Sequence, residues 1–117
     1  MQSYSHIDIA QINLISDGNK ELISDLVLMF ENQIPIFAKQ LDELYASNDF
    51  LALGKLAHKI KGSVSIVGIT LLANSMKKLE YIAKEGVSQE KYPMLIDEFK
   101  TISLKALNEL KNYIENN

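Results

Sequence analysis

The sequence has no cysteine, no long apolar run and no leader-like start, and each absence excludes a class of protein. Without cysteine, the chain can form neither a disulfide framework nor a thiolate metal site. No apolar run approaches the ~20 residues that cross a membrane. Residues 1–16 lack a basic start, an apolar centre and a small-residue cleavage site. We therefore expect a cytoplasmic protein with no membrane association.

Strand patterns are also scarce. Apolar and polar residues rarely alternate with a period of two, and the isoleucines and valines fall at helical spacing. A hydrophobic content of 47% and a charged content of 23% are typical of a globular domain, and 117 residues suit a single core. The sequence predicts one all-α domain over residues 1–117.

Turn and cap signals divide this domain into five helices. The first helix is predicted over about residues 8–15, and the second runs from a cap at Asp17 or Asn19 to about residue 46. The third is predicted over about residues 49–67 and the fourth from residue 70 to 84 or 85. The last helix begins between residues 88 and 92. Pro35 lies inside the second helix, where the lost backbone hydrogen bond predicts a kink. Short turns between long amphipathic helices favour antiparallel neighbours. We predict an antiparallel up-down four-helix bundle with an additional short N-terminal helix.

Apolar residues at helical spacing define the face of each helix that we expect to be buried. In the second helix these are Leu22, Leu26, Met29, Phe30, Phe37, Leu41 and Leu44. In the fourth they are Leu72, Met76, Leu79 and Ala83, and in the fifth Leu95, Ile96, Phe99, Ile102, Ala106, Leu110 and Tyr113 or Ile114. In the third helix the face centres on Leu53 and Ile60.

His58, one of only two histidines, lies on the outer face of the third helix. At ~100° per residue it stands ~140° from Leu53, away from the core. A neutral imidazole is a nucleophile that can take a phosphoryl group, and Lys61, one turn on, can offset the added charge. Gly62 costs about 1 kcal/mol of helix stability relative to alanine. We interpret it as leaving room for a bulky partner beside His58.

Charge is unevenly distributed around this histidine. Residues 54–84 contain six lysines and one glutamate, a net charge of +5, while the rest of the chain has six lysines and fourteen acids, a net charge of −8. The overall charge of −3 argues against a nucleic-acid partner. The basic region can steer an acidic partner, or it can be an ordinary solvated face.

Glu80 and Lys84 flank the expected contact between the third and fourth helices. Glu80 can bind a ring N–H of His58 and fix its tautomer, and Lys84 can add a phosphoryl contact. The alternative is a surface ion pair between residues four apart.

The segment Ala57-His58-x-x-Lys61-Gly62-Ser63, followed by Gly68, Leu72 and Leu79-Glu80, resembles a histidine-containing phosphotransfer (HPt) domain. The resemblance implies that His58 accepts a phosphoryl group from the aspartyl phosphate of one receiver domain and passes it to the aspartate of another. The expected partners are the receiver domains of a hybrid histidine kinase and of a response regulator. Lys61 carries over as the phosphoryl contact and Gly62 as the residue that permits docking. Glu80 stands where the family often has a polar residue, frequently glutamine.

The resemblance also implies where other components belong. Mg²⁺ would be bound by the receiver, so no cofactor or metal is expected on this chain. Receivers dock on an apolar patch, for which Ile9, Ile12 and Ile15 are candidates, although a cap of the bundle would use the same residues. We expect a monomer, since one bundle can bury its own apolar faces.

Three other functions are conceivable for a helical chain with an exposed histidine. The phosphoacceptor region of a histidine kinase would call for an ATP-binding domain, and no Gly-rich nucleotide segment is present. A metal-carboxylate bundle is disfavoured because no Glu-x-x-His pair occurs. A bundle that binds a receiver without relaying phosphate remains the alternative.

Overall fold

The computed structural model describes residues 4–116, and within them it contains five α-helices and no strand. The helices are α1 Ile9–Ser16, α2 Lys20–Ala46, α3 Phe50–Ile66, α4 Thr70–Glu85 and α5 Tyr92–Asn116, with a 3-10 turn at Gln89–Lys91. In this part of the chain, none of the helices is both long and apolar enough to cross a membrane. The all-α prediction is confirmed, with helix bounds within about two residues of those expected.

The four long helices form an antiparallel bundle. On α2 and α5, Lys100 Nζ lies 2.6 Å from Asp42 Oδ2 and Lys111 Nζ lies 2.5 Å from Glu31 Oε2, so the two helices run in opposite directions. Helix α1 lies across α2 and α3 at one end. The 27 residues of α2 span ~40 Å at 1.5 Å per residue, which accounts for the 43 Å long axis.

Side-chain caps explain why several helices begin where they do. In each case a side-chain oxygen accepts a hydrogen bond from a backbone N–H in the first turn of the helix. Asp8 caps α1 in this way, Asn19 caps α2 and Asp49 caps α3. Asp17 is not a cap of α2; it ends α1 in the left-handed conformation. Thr70 is the first residue of α4 rather than its cap.

The predicted buried face of α2 was partly wrong. Leu22 and Met29 are exposed, at 40% and 55% of their surface. The buried face consists of Ile23, Val27, Phe30, Ile34, Phe37 and Leu41. The prediction combined residues from two apolar rows of α2. The row that contains Leu22 and Met29 lies ~100° around the helix from the row that contains Ile23 and Phe30. Helix α2 continues through the exposed Pro35, and the kink stays a prediction.

The faces predicted for α3, α4 and α5 are largely buried. Leu53 and Ile60 are fully buried, as are the four residues expected on α4. On α5 the predicted residues are buried except Ile102, Tyr113 and Ile114, which pack at the edge of the core. The sequence interpretation did not include Leu107, which is also buried.

An N-terminal arm, residues 4–8, is attached to the end of the bundle near Gly68. Asp8 N donates to Gly68 O at 2.8 Å, and His6 N donates to Glu109 Oε1 at 2.9 Å. Gly68 has a φ of +75°, and a Cβ there would stand 2.7 Å from Asp8 O and 2.8 Å from Ile12 Cγ1. The turn between α3 and α4 therefore needs glycine for two reasons: its backbone is in the left-handed conformation, and a side chain there would collide with the N-terminal arm and α1.

We expect Gly68→Ala to lower the free energy of unfolding by ~2 kcal/mol or more, because it adds a steric clash to the cost of a left-handed alanine. Gly18→Ala is the matched control, since Gly18 has a φ of +72° but no atom within 4 Å of an added Cβ. Gly18→Ala should lower the free energy of unfolding by only ~1–2 kcal/mol, the cost of placing an alanine in the left-handed conformation. Urea unfolding measures both, and equal losses would contradict the steric part of the prediction.

Candidate functional site

His58 lies in the middle of α3 and points to solvent, as helical phasing predicted. Its side chain is 63% exposed, whereas Ala57 and Ile60 beside it are fully buried. The buried neighbours fix the rotation of α3 about its axis. The imidazole is therefore held on the surface by the packing of the opposite face.

Glu80 joins three of the predicted site residues in one cluster. Its Oε2 lies 2.9 Å from His58 Nδ1 and 2.9 Å from Lys84 Nζ, and its Oε1 lies 3.0 Å from Lys61 Nζ. The carboxylate is only 16% exposed. The ion pair between Glu80 and Lys84 thus exists, and it forms part of the histidine site.

Hydrogen bonds keep this carboxylate ionised. The pKa of Glu80 is lowered from 4.5 to about 2. The hydrogen bond from Lys84 is the largest cause, and the hydrogen bonds from Lys61 and His58 add to it, while burial of the carboxylate acts in the opposite direction. An ionised carboxylate only accepts hydrogen bonds, so His58 Nδ1 must be the donor. The lone pair of neutral His58 is then on Nε2, across the ring from Glu80.

We expect Glu80→Gln to lower the stability most at neutral pH. A depressed pKa stabilises the fold above the unfolded-state value of 4.5, and this contribution is lost as the pH falls towards about 2. The free energies of unfolding of wild type and variant should therefore converge between pH 4.5 and 2. Urea unfolding across this range tests the effect, with the exposed Glu85→Gln as control. A constant difference between wild type and Glu80→Gln would contradict it.

Gly62 has no role in internal packing. It is exposed one turn after His58, and a Cβ added there would meet no atom within 4 Å. The helix has room for a Cβ atom at this position. The fold therefore gives no reason for glycine, and the expected role in partner access stays a prediction.

Sequence reasoning missed the importance of Gly54, one turn before His58. It is buried beneath α4, where an added Cβ would stand 2.7 Å from Lys84 Cγ. Phasing places Gly54 and Lys61 on the same side of α3. The glycine on that side of α3 was the feature of the sequence that could have predicted a close contact between two helices.

The apolar surface near the site differs from the one expected. Ile12 is buried in the core and Ile9 is half-buried, so of the three candidates Ile15 alone is substantially exposed, at 40%. The second apolar row of α2 adds three exposed residues at a spacing of seven: Leu22, Met29 and Ile36. We call Ile15 and these three residues the apolar row.

The three α2 residues of the apolar row lie on the side of α2 that faces α3. Gln40, one turn after Ile36, lines a shallow recess of 360 Å³ together with Leu56 and Lys59 of α3. Lys59 Nζ also lies 5.9 Å from the ring centre of Phe37. Lys61 and Lys84 thus lie beside His58 on the α4 side, whereas the recess on the α2 side of α3 combines two leucines with polar and charged side chains. Within residues 4–116 no cluster of three acidic or histidine side chains could hold a metal ion.

The model of the Hpt domain family matches residues 25–116, which include every residue of the Glu80 cluster. The chain belongs to the Hpt domain family. A comparison with curated proteins finds no match. Among solved structures, the chain is similar to the crystal structure of histidine-containing phosphotransfer protein B (HptB) from Pseudomonas aeruginosa PAO1. The two share 23% identity over 98% of this chain and 99% of that chain, with a TM-score of 0.87.

The Hpt family gives the site its general function. Hpt domains are phosphocarriers of two-component signalling that contain no kinase domain. The HptB structure has the same helical fold over 98% of this chain, so the similarity extends into the part before residue 25 that the family model leaves out. The chain is therefore an Hpt domain of two-component phosphotransfer.

Proposed function

We propose that His58 is the phosphoacceptor of a phosphorelay. It takes the phosphoryl group from the aspartyl phosphate of one receiver domain and gives it to the aspartate of another. One observation carries this proposal: an exposed imidazole whose Nδ1 is held by an ionised carboxylate, which leaves the Nε2 lone pair facing outward.

The chemistry needs no further group on this chain. The Nε2 lone pair attacks phosphorus, the bond from phosphorus to the aspartyl oxygen breaks, and the carboxylate leaves with the electron pair. The proton on Nδ1 stays with the phosphohistidine and with Glu80. The second transfer reverses these steps on another receiver. The domain thus carries the group with no catalytic turnover of its own.

We propose that Lys61 and Lys84 stabilise the transferred group. Their ammonium groups lie 3.0 and 2.9 Å from Glu80, at the edge of the imidazole. Rotation about their side-chain bonds brings them to phosphoryl oxygens on Nε2. A phosphoryl group carries about two negative charges, which two ammonium groups offset.

The partners are the receiver domains of a hybrid histidine kinase and of a response regulator. Mg²⁺ enters with the receiver, and this chain supplies no metal or other cofactor. We place receiver docking on the apolar row, because exposed apolar patches of this kind favour protein contact. We expect the domain to act as a cytoplasmic monomer without nucleic acid.

The experiment is a transfer reaction with purified proteins. A phosphorylated receiver is mixed with the domain, and radiolabel is followed to the domain and then to a second receiver. We expect acid-labile, alkali-stable label on the domain, followed by its loss to the second receiver. Stable complexes with several receivers and no label on the domain would contradict the proposal and favour a sequestering bundle.

A further inference from the structure

Gly54 lies at a close contact between α3 and α4. A Cβ there would lie 2.7 Å from Lys84 Cγ, 3.1 Å from Glu80 O and 3.1 Å from Lys84 N. Two of these three atoms belong to the backbone of α4, which cannot rotate away as the end of a side chain can. Only a hydrogen atom on Gly54 allows the two helices to approach this closely.

The part of α4 that touches Gly54 is also the part that holds His58. Glu80 O and Lys84 N are the two ends of one helical turn, and the side chains of the same two residues form the contacts around the imidazole. Gly54 itself precedes His58 by one turn on α3. The distance between the helices at Gly54 therefore sets the distance across which Glu80 reaches His58.

A comparison within α3 separates this role from that of Gly62. Both glycines lie in the helix interior, where glycine is unfavourable, and they flank His58 at four residues on either side. An added Cβ at Gly62 meets nothing within 4 Å, whereas at Gly54 it meets three atoms. Gly62 is thus open to solvent, whereas the close packing of α4 requires a glycine at residue 54.

We propose that Gly54 is a positioning residue for phosphotransfer. Its missing side chain lets α4 approach, so that the Glu80 carboxylate binds Nδ1 and keeps the lone pair on Nε2. The kinetic part of this inference rests on the proposed function, while the part that concerns the tautomer stands on the geometry alone.

The first test is ¹⁵N NMR of the histidine rings above pH 7.5, where the two ring nitrogens report the tautomer. Wild type should have a protonated Nδ1 and an unprotonated Nε2 at His58. Gly54→Ala should shift the equilibrium towards a proton on Nε2. Gly62→Ala, the matched control for this measurement, should give the wild-type spectrum. The His6 signals should stay constant in all three proteins and serve as an internal reference.

A double variant tests whether the effect acts through the contact with α4. Lys84→Ala removes the Cγ atom that lies closest to the added Cβ. In Gly54→Ala/Lys84→Ala, the tautomer should return part of the way towards that of Lys84→Ala alone. Because this variant removes the closest of the three contacts, it also keeps the test available if Gly54→Ala alone does not fold.

The second test is the rate of label acceptance from a phosphorylated receiver. Gly54→Ala should accept label about tenfold more slowly, the effect expected from loss of one charge-assisted hydrogen bond. A folded Gly54→Ala with wild-type tautomer and wild-type rate would overturn the inference. If wild type itself accepts no label, the proposed function fails, but the NMR result still decides the role of Gly54 in holding Glu80 on His58.

Discussion

His58→Gln is expected to accept no acid-labile label from any phosphorylated receiver. Glutamine has no ring nitrogen with a free lone pair, so no N–P bond can form at this position. The substitution should spare the fold, because the side chain is largely exposed and a glutamine amide can still donate to Glu80. Loss of label can therefore be assigned to the missing nucleophile. Circular dichroism of wild type and variant checks that the helices are retained.

The second histidine provides the control for this experiment. His6 lies on the N-terminal arm, where its ring contacts Glu109 of α5. His6→Gln should accept label at close to the wild-type rate. Label on His58→Gln that disappears only when His6 is also replaced would place the phosphoacceptor on the arm and refute the proposed site.

Gly62→Gln should reduce transfer about a hundredfold while leaving the fold intact. A side chain there stands one turn from His58, on the surface that a receiver must approach for an in-line reaction. Displacement of a reacting group by ~1 Å can cost about this factor. Nothing lies within 4 Å of an added Cβ, so the bundle need not rearrange. Replacing a helical glycine should raise stability by up to ~1 kcal/mol.

Two measurements separate access from folding at this position. Single-turnover transfer should slow in Gly62→Gln but much less in Gly62→Ala, whose side chain is small. Thermal unfolding should occur at the same or a higher temperature in both. Leu104→Gln, a change at an exposed leucine on α5, should affect transfer little. Transfer by Gly62→Gln at the wild-type rate would show that access at residue 62 does not matter.

The sequence predicted those features that depend on local interactions. Asp49 and Asn19 cap their helices through bonds that span three residues, so the cap signals located the helix starts. The outward direction of His58 follows from the spacing of Leu53 and Ile60 around one helix axis. These features need no knowledge of the neighbouring helices.

Features that depend on two helices could not be predicted in the same way. Phasing placed Glu80 beside the contact between α3 and α4, but it gives neither the position along the helix axis nor the distance between the helices, which at Gly54 leaves no room for a Cβ atom. On α2, two apolar rows compete for the core, and the choice between Leu22 and Ile23 depends on how α3 and α5 pack. Sequence periodicity alone cannot rank two such rows.

The sharing of Glu80 by two ammonium groups has an electrostatic consequence for the partners. In the empty domain, Lys61, Lys84 and Glu80 together carry a charge of +1. A phosphoryl group on His58 adds about −2 and reverses the sign of this small area to about −1. An acidic partner surface is then attracted less strongly by the loaded domain than by the empty one, because the six lysines of residues 54–84 still outweigh Glu80 and the phosphoryl group. The same three side chains thus let a partner distinguish the two forms before any covalent step.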